Sequence, residues 1–194
     1  CTSALICLDI IGMNLWFESA LLENGWSERV RLTLADGQIE TVETGVDPEA
    51  GDERHFVALP GIPNVHSHAF QRAMAGLAEA RGRADDDFWS WRELMYRFVG
   101  RIGPEECEAI AALAYAEMLE SGFTRVGEFH YLHHTPGGGR YDDVAEMSGR
   151  IAAAAAATGI GLTLLPVFYA HGGFGGQPAG AAQARFINSV DGFA

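Results

Sequence analysis

The chain has 194 residues, 48% of them hydrophobic, and a net charge of −13. That is enough apolar material for a packed core, which argues against a disordered chain. All 13 basic residues are arginine, so an acidic chain without lysine suits neither nucleic acid nor an anionic membrane surface.

The three cysteines, Cys1, Cys7 and Cys107, have no C-x-x-C spacing. This argues against a disulfide framework or a cysteine-rich metal site and points to a reducing, cytoplasmic setting. Residues 151–184 carry no charged side chain, yet Gly159, Gly161 and Pro166 interrupt any membrane span. A helix, a turn and a strand explain that stretch better.

In chain order, residues 1–12 lack an initiator Met and the basic start of a signal peptide, whereas Met13 looks like a natural start. They read as a leader foreign to the protein. Residues 13–59 read as the N-terminal part of a small β-sandwich. Leu15–Phe17, Val30–Leu34, Ile39–Val42 and Phe56–Ala58 are apolar or alternating, and Asn24-Gly25 and Asp36-Gly37 mark tight turns.

The next stretch, Pro60-Gly61-Ile62-Pro63-Asn64-Val65-His66-Ser67-His68-Ala69-Phe70-Gln71, reads as an apolar strand ending in His-x-His. Side chains two apart on a strand share a face, so His66 and His68 are expected to reach one point as two metal ligands. A bare His-x-His is more often a pair of surface histidines. Its place at a strand's C-terminal end, where parallel barrels keep their chemistry, favours the ligand reading.

Helices follow. Phe88, Trp91, Met95, Phe98 and Ile102 form one apolar stripe, with Asp85–Asp87 at its start as a helix cap. Gly103-Pro104-Glu105-Glu106 opens a second helix with Ile110, Leu113, Ala114 and Met118 on its buried face. Phe123–Phe129 is a strand, Asp142 and Asp143 start a third helix ending at Gly159, Gly161–Val167 is another strand, and a helix begins near Ala181. Strands near 62–68, 123–129 and 161–167 alternating with helices imply βα units and a parallel sheet. A closed barrel needs eight such units, so residues 60–194 are expected to be the N-terminal part of a longer barrel protein.

A β layer followed by Pro-Gly-x-x-Asn-x-His-x-His resembles the amidohydrolase superfamily. The segments Asn64–Arg72, Trp89-Ser90-Trp91-Arg92, Gly127–His134 and Gly172–Pro178 narrow the resemblance to its formimidoylglutamate deiminase family. The resemblance implies an α/β fold: a TIM-like (β/α)8 amidohydrolase barrel, here its first three or so βα units, preceded by part of a small β-sandwich domain. It implies hydrolytic deimination of N-formimino-L-glutamate to N-formyl-L-glutamate and ammonia, in histidine degradation. It also implies one Zn²⁺ per site, with iron or another divalent metal as the alternative. His66 and His68 would be two metal ligands, and Gln71, Arg92 and Tyr131 would contact the substrate. The remaining ligands and the general acid and base of that family belong to later barrel strands, so no catalytic residue is assigned within these residues, which are expected to be inactive alone.

The chemistry is consistent with that resemblance. A guanidinium offers a bidentate fork to a carboxylate, and Tyr and Gln complete its hydrogen bonds. The expected partner is a small dicarboxylate, with no nucleic acid and no membrane, and the sequence leaves room for a homodimer. Other readings stand beside these. Arg92 would serve equally as a solvated helix residue, Tyr131 as a core residue with its hydroxyl at the rim, and Gln71 as a helix-start residue. Glu128 and His130 could face the barrel interior, His133 and His134 belong to a loop, and His171 lines the site, none of them as a metal ligand. The loop Gly172–Gly176 lacks the spacing of a phosphate cradle and reads as a rim over the site. The alternatives for the whole are a related amidohydrolase deaminating a heterocycle such as guanine, or a catalytically silent truncated chain.

Overall fold

The computed structural model describes residues 12–77 and 88–193. Residues 1–11, the Asp85–Asp87 cap and the side chain of Trp89 lie outside the described residues. The chain divides between Pro60 and Gly61 into two compact units.

In the first unit, β1 (Met13–Leu22), β2 (Gly25–Ala35), β3 (Gln38–Glu43) and β4 (Glu53–Ala58) form one sheet in the order β3-β2-β1-β4. The two hairpins close at the Asn24-Gly25 and Asp36-Gly37 turns, and β4 returns parallel to β1. Alternation predicts Arg31 on the solvent side of β2, but it is buried. Its guanidinium bonds the Asp52 carboxylate at 3.1 Å and the Asp47 carbonyl at 3.0 Å, tying the β3–β4 connection to the sheet. The Trp16 indole N–H adds a bond to the Val46 carbonyl at 3.0 Å.

In the second unit, β5 (Ile62–Ser67), β6 (Phe123–His130) and β7 (Gly161–Pro166) form a parallel sheet in the order β5-β6-β7. A one-turn-and-more 3₁₀ helix, Ala69–Met74, follows β5; α1 (Phe88–Val99) and α2 (Pro104–Glu120) lead to β6, and α3 (Glu146–Thr158) leads to β7. The core lies between one face of this sheet and the helices, and holds Val126, Cys107, Ala111, Tyr115, Ile151 and Ala154 among others. The opposite face is open: Val65 is 82% and Leu165 44% exposed. Among the described residues, no helix is long and apolar enough to cross a membrane.

Several expectations are corrected. The buried residues of α2 are Cys107, Ala111, Ala114 and Tyr115, while Leu113 is 52% exposed; small residues let the helix lie close to α3, so its larger side chains turn outward. On α1, Met95 and Val99 are buried but Phe88 is exposed, because the helix only begins there. The third helix starts at Glu146, since the Asp143 carboxylate and carbonyl are taken by the Ala145 and Glu146 N–H groups in a turn. It ends as expected at Gly159, whose positive φ of 82° caps it. Near Ala181 there is only a single 3₁₀ turn, Ala181–Gln183, and a short α4 occupies Val190–Phe193.

His130, fully buried on β6, makes the fold sensitive to acid. Burial lowers its pKa from 6.5 to about 4. The unfolded chain therefore binds a proton that the folded chain refuses, so this contribution is fully present above pH 6.5 and lost as pH falls toward 4, by roughly 3 kcal/mol. Glu128, pushed up by burial, acts in the opposite sense. The difference between parent and His130→Leu in urea unfolding isolates the histidine: the parent should lose stability relative to the variant across that window, and parallel pH curves would contradict this.

Candidate metal and ligand site

The chemistry-bearing residues gather where β5 and β6 end. Asn64 pairs with Val126 and Ser67 with Glu128, so three steps on β5 match two on β6. This is a one-residue bulge. Asn64 and Ser67 both face the helices, Asn64 reaching Met118 on α2 and Ser67 lying buried. His66 is exposed on the open side. His68 lies beyond the last strand residue, with φ −129° and ψ 81°. Alternation across the buried Ser67 therefore brings the two histidines together as expected, and the bulge before them turns the pair to the open side of the sheet.

The rings meet edge to face, and their Nε2 atoms are 3.1 Å apart. The His68 Nδ1 lies 2.9 Å from the Phe129 carbonyl. A carbonyl can only accept, so Nδ1 carries the proton and the neutral ring keeps a lone pair on Nε2. Two nitrogen ligands at about 2.0–2.1 Å from a tetrahedral ion stand about 3.3–3.4 Å apart, a few tenths of an ångström more than this pair. The pair therefore fits a divalent metal, with a carbonyl behind one ligand in the arrangement usual for metal-bound imidazole. Among the described residues, no group of three or more His, Cys, Asp or Glu forms a complete metal cluster.

Opposite the bulge stands Gly127, where a Cβ would come within 3.1 Å of the Val65 carbonyl oxygen. A glycine inside a strand signals such a close approach, and this signal was available in the sequence.

His68 also lines a cavity of about 580 Å³ with Gln71, Arg92, Tyr131 and His171. Four of the five expected site residues thus share one space, with His66 beside it. The Gln71 Nε2 donates to the Tyr131 hydroxyl at 3.1 Å. Burial pushes the Tyr131 phenol up to about 12, so it stays protonated at neutral pH. The Arg92 Nε donates to the Tyr96 hydroxyl at 2.5 Å, and the guanidinium carbon lies 5.1 Å from that ring's centre. The loop residues Gly172, Gly173 and Phe174 form part of the wall, as a rim would.

Glu128 and His130 do not face the barrel interior. With Val126 they occupy the helix-covered face of β6, and both are fully buried. His133 and His134 are loop residues, their Nε2 atoms bonded to the Val167 and Ile187 carbonyls at 2.9 Å. Two supporting residues escaped the sequence reading. Tyr96 is one turn from Arg92 on α1, a spacing that could have revealed it. Arg185 is fully buried; it donates from Nη1 to the Val99 and Ile102 carbonyls and from Nε to the His134 carbonyl. Nothing in its local sequence marks it.

A histidine pair at the end of a strand in a parallel α/β sheet is a donor set that suits a divalent metal. The chain belongs to the amidohydrolase family, whose profile matches residues 57–184, and members of this family are hydrolases that generally use a divalent metal. Residues 15–56 match the N-terminal domain of formimidoylglutamate deiminase HutF. The chain is 54% identical to the formimidoylglutamate deiminase of Pseudomonas aeruginosa over 177 residues, 91% of this chain and 39% of that protein. It is 55% identical to an amidohydrolase from Brucella melitensis of known crystal structure, with a TM-score of 0.89 over 93% of this chain and 40% of that one. An 8-oxoguanine deaminase of Pseudomonas aeruginosa is 31% identical over 121 residues, 59% of this chain and 26% of that protein. The chain thus spans about two fifths of the length of the first two relatives.

Gly127→Ala should force the bulge apart. Overpacking against backbone typically costs about 1–3 kcal/mol, and denaturant unfolding should show a loss of that order. An unchanged midpoint would mean that β5 and β6 yield at this point.

Proposed function

We propose that the protein carrying this chain is a zinc-dependent formimidoylglutamate deiminase, converting N-formimino-L-glutamate to N-formyl-L-glutamate and ammonia in histidine degradation. The observation that carries the reading is the cavity itself. One of two imidazoles whose Nε2 atoms are 3.1 Å apart opens onto the same space as an arginine, a glutamine and a tyrosine. The 54% identity to a deiminase of that name supports it.

His66 and His68 would hold the metal through Nε2, with zinc preferred for imidazole donors and iron the alternative. When bound, a divalent metal supplies Lewis acidity and a water acidified toward neutral pH. The chain's own residues place the substrate. The Arg92 guanidinium, its plane set by Tyr96, receives a carboxylate through charge-assisted bonds. The protonated Tyr131 hydroxyl accepts from Gln71 and can donate its own proton to the same carboxylate. The formimino end is then left to the histidine pair. A heterocycle such as guanine carries no carboxylate for this cluster to receive, which favours the diacid.

Two outcomes test the reading, both in a polypeptide of the relatives' full length. His66→Ala and His68→Ala should each lose metal, measured by elemental analysis after gel filtration, and turnover with it; full zinc in both variants would overturn the ligand assignment. Arg92→Met should lower kcat/KM for N-formimino-L-glutamate by about 10-fold or more, a loss of about 1.5–3 kcal/mol, and spare an analogue lacking carboxylates. Equal losses on both would make Arg92 structural.

A further inference from the structure

Glu128 is fully buried in a core of apolar side chains, yet it is a carboxylate. Burying a carboxylate costs free energy that a leucine of similar size would not, so its place calls for a geometric reason. Its Oε1 accepts the Ala69 N–H at 2.7 Å. Its Oε2 makes no hydrogen bond among the described residues. Ala69 opens the 3₁₀ helix, and the preceding residue, His68, provides no side-chain cap for it. The first N–H groups of a helix need an acceptor from elsewhere, and Glu128 supplies one from the neighbouring strand. The next residue on that strand, Phe129, gives its carbonyl to His68 Nδ1 at 2.9 Å. Two consecutive residues of β6 thus grip His68 from both ends, one by its ring and one by the peptide that follows it.

We propose that Glu128 is a positioning residue for the histidine pair: by holding the Ala69 N–H it fixes the peptide after His68 and so aims His68 Nε2 toward His66 Nε2. The inference rests on the reading of His66 and His68 as metal ligands. What matters in Glu128 is then its reach and its acceptor oxygen more than its charge. Gln keeps the reach and the acceptor but loses the charge. Asp keeps the charge but falls one methylene short of Ala69.

The test compares Glu128→Gln, Glu128→Asp and His68→Ala in a polypeptide of the relatives' full length, stripped of metal. Three quantities are read: Co²⁺ affinity from its visible absorption, the His68 tautomer from ring ¹⁵N shifts without metal, and the thermal midpoint. Removing such an outer support typically costs roughly 10- to 100-fold in metal affinity. Glu128→Asp should show that loss and a mixed His68 tautomer, whereas Glu128→Gln should stay within a few-fold of the parent with Nδ1 protonated. Asp binding as tightly as parent, Gln binding more weakly than Asp, or both changing only the thermal midpoint would overturn the proposal. Should His68→Ala keep parental Co²⁺ affinity, the ligand reading fails, and the tautomer shift in the metal-free Asp variant still decides the role of Glu128.

Discussion

The Phe129 carbonyl is the fixed point on which the site depends. Because it can only accept, it dictates which His68 nitrogen carries hydrogen and which keeps a lone pair. Its own position comes from the parallel ladder, where Phe129 pairs with Leu165 and the His130 carbonyl takes the Val167 N–H at 2.9 Å. The bulge on β5 then brings His66 to the same spot, and Gly127 leaves room for it. A soft loop could not hold two imidazoles in such register; a sheet edge stapled from the next strand can.

The parts legible in the sequence were those that depend on neighbours in the chain. The His-x-His pair, the βα alternation, the two Gly turns of the first sheet and the Gly159 cap are all local patterns, and the structure has them. Alternation placed the two histidines on one face correctly; which side of the sheet that face takes is set by the bulge, which depends on the partner strand and leaves only Gly127 as a trace. The buried faces of α2 and α1 were partly misread because periodicity ranks large apolar residues first, whereas the close approach of α2 and α3 selects Ala111, Ala114 and Ala154. Arg31 and Arg185 were invisible as core residues, and Glu128 was expected on the other face of its strand. Each is buried by partners at least 12 positions away or on another strand, and composition treats every charge as solvent-facing.

Charge sets a second constraint. The chain carries −13 overall, which repels a dianion at long range. Its cavity sets one arginine into a wall otherwise rich in aromatic and imidazole rings. An apolar surround strengthens short-range attraction to the arginine, so the Arg92 charge is felt over a few ångströms within the cavity.

Arg185 sits outside that cavity and still governs its dimensions. Its guanidinium takes carbonyls from the C-terminal end of α1, which carries Arg92, and from His134, three residues beyond Tyr131. One planar, rigid group thereby acts as a spacer bar between the two walls that would grip opposite sides of a ligand's carboxylate. The gap between them is thus braced from behind by a residue that lines no part of it.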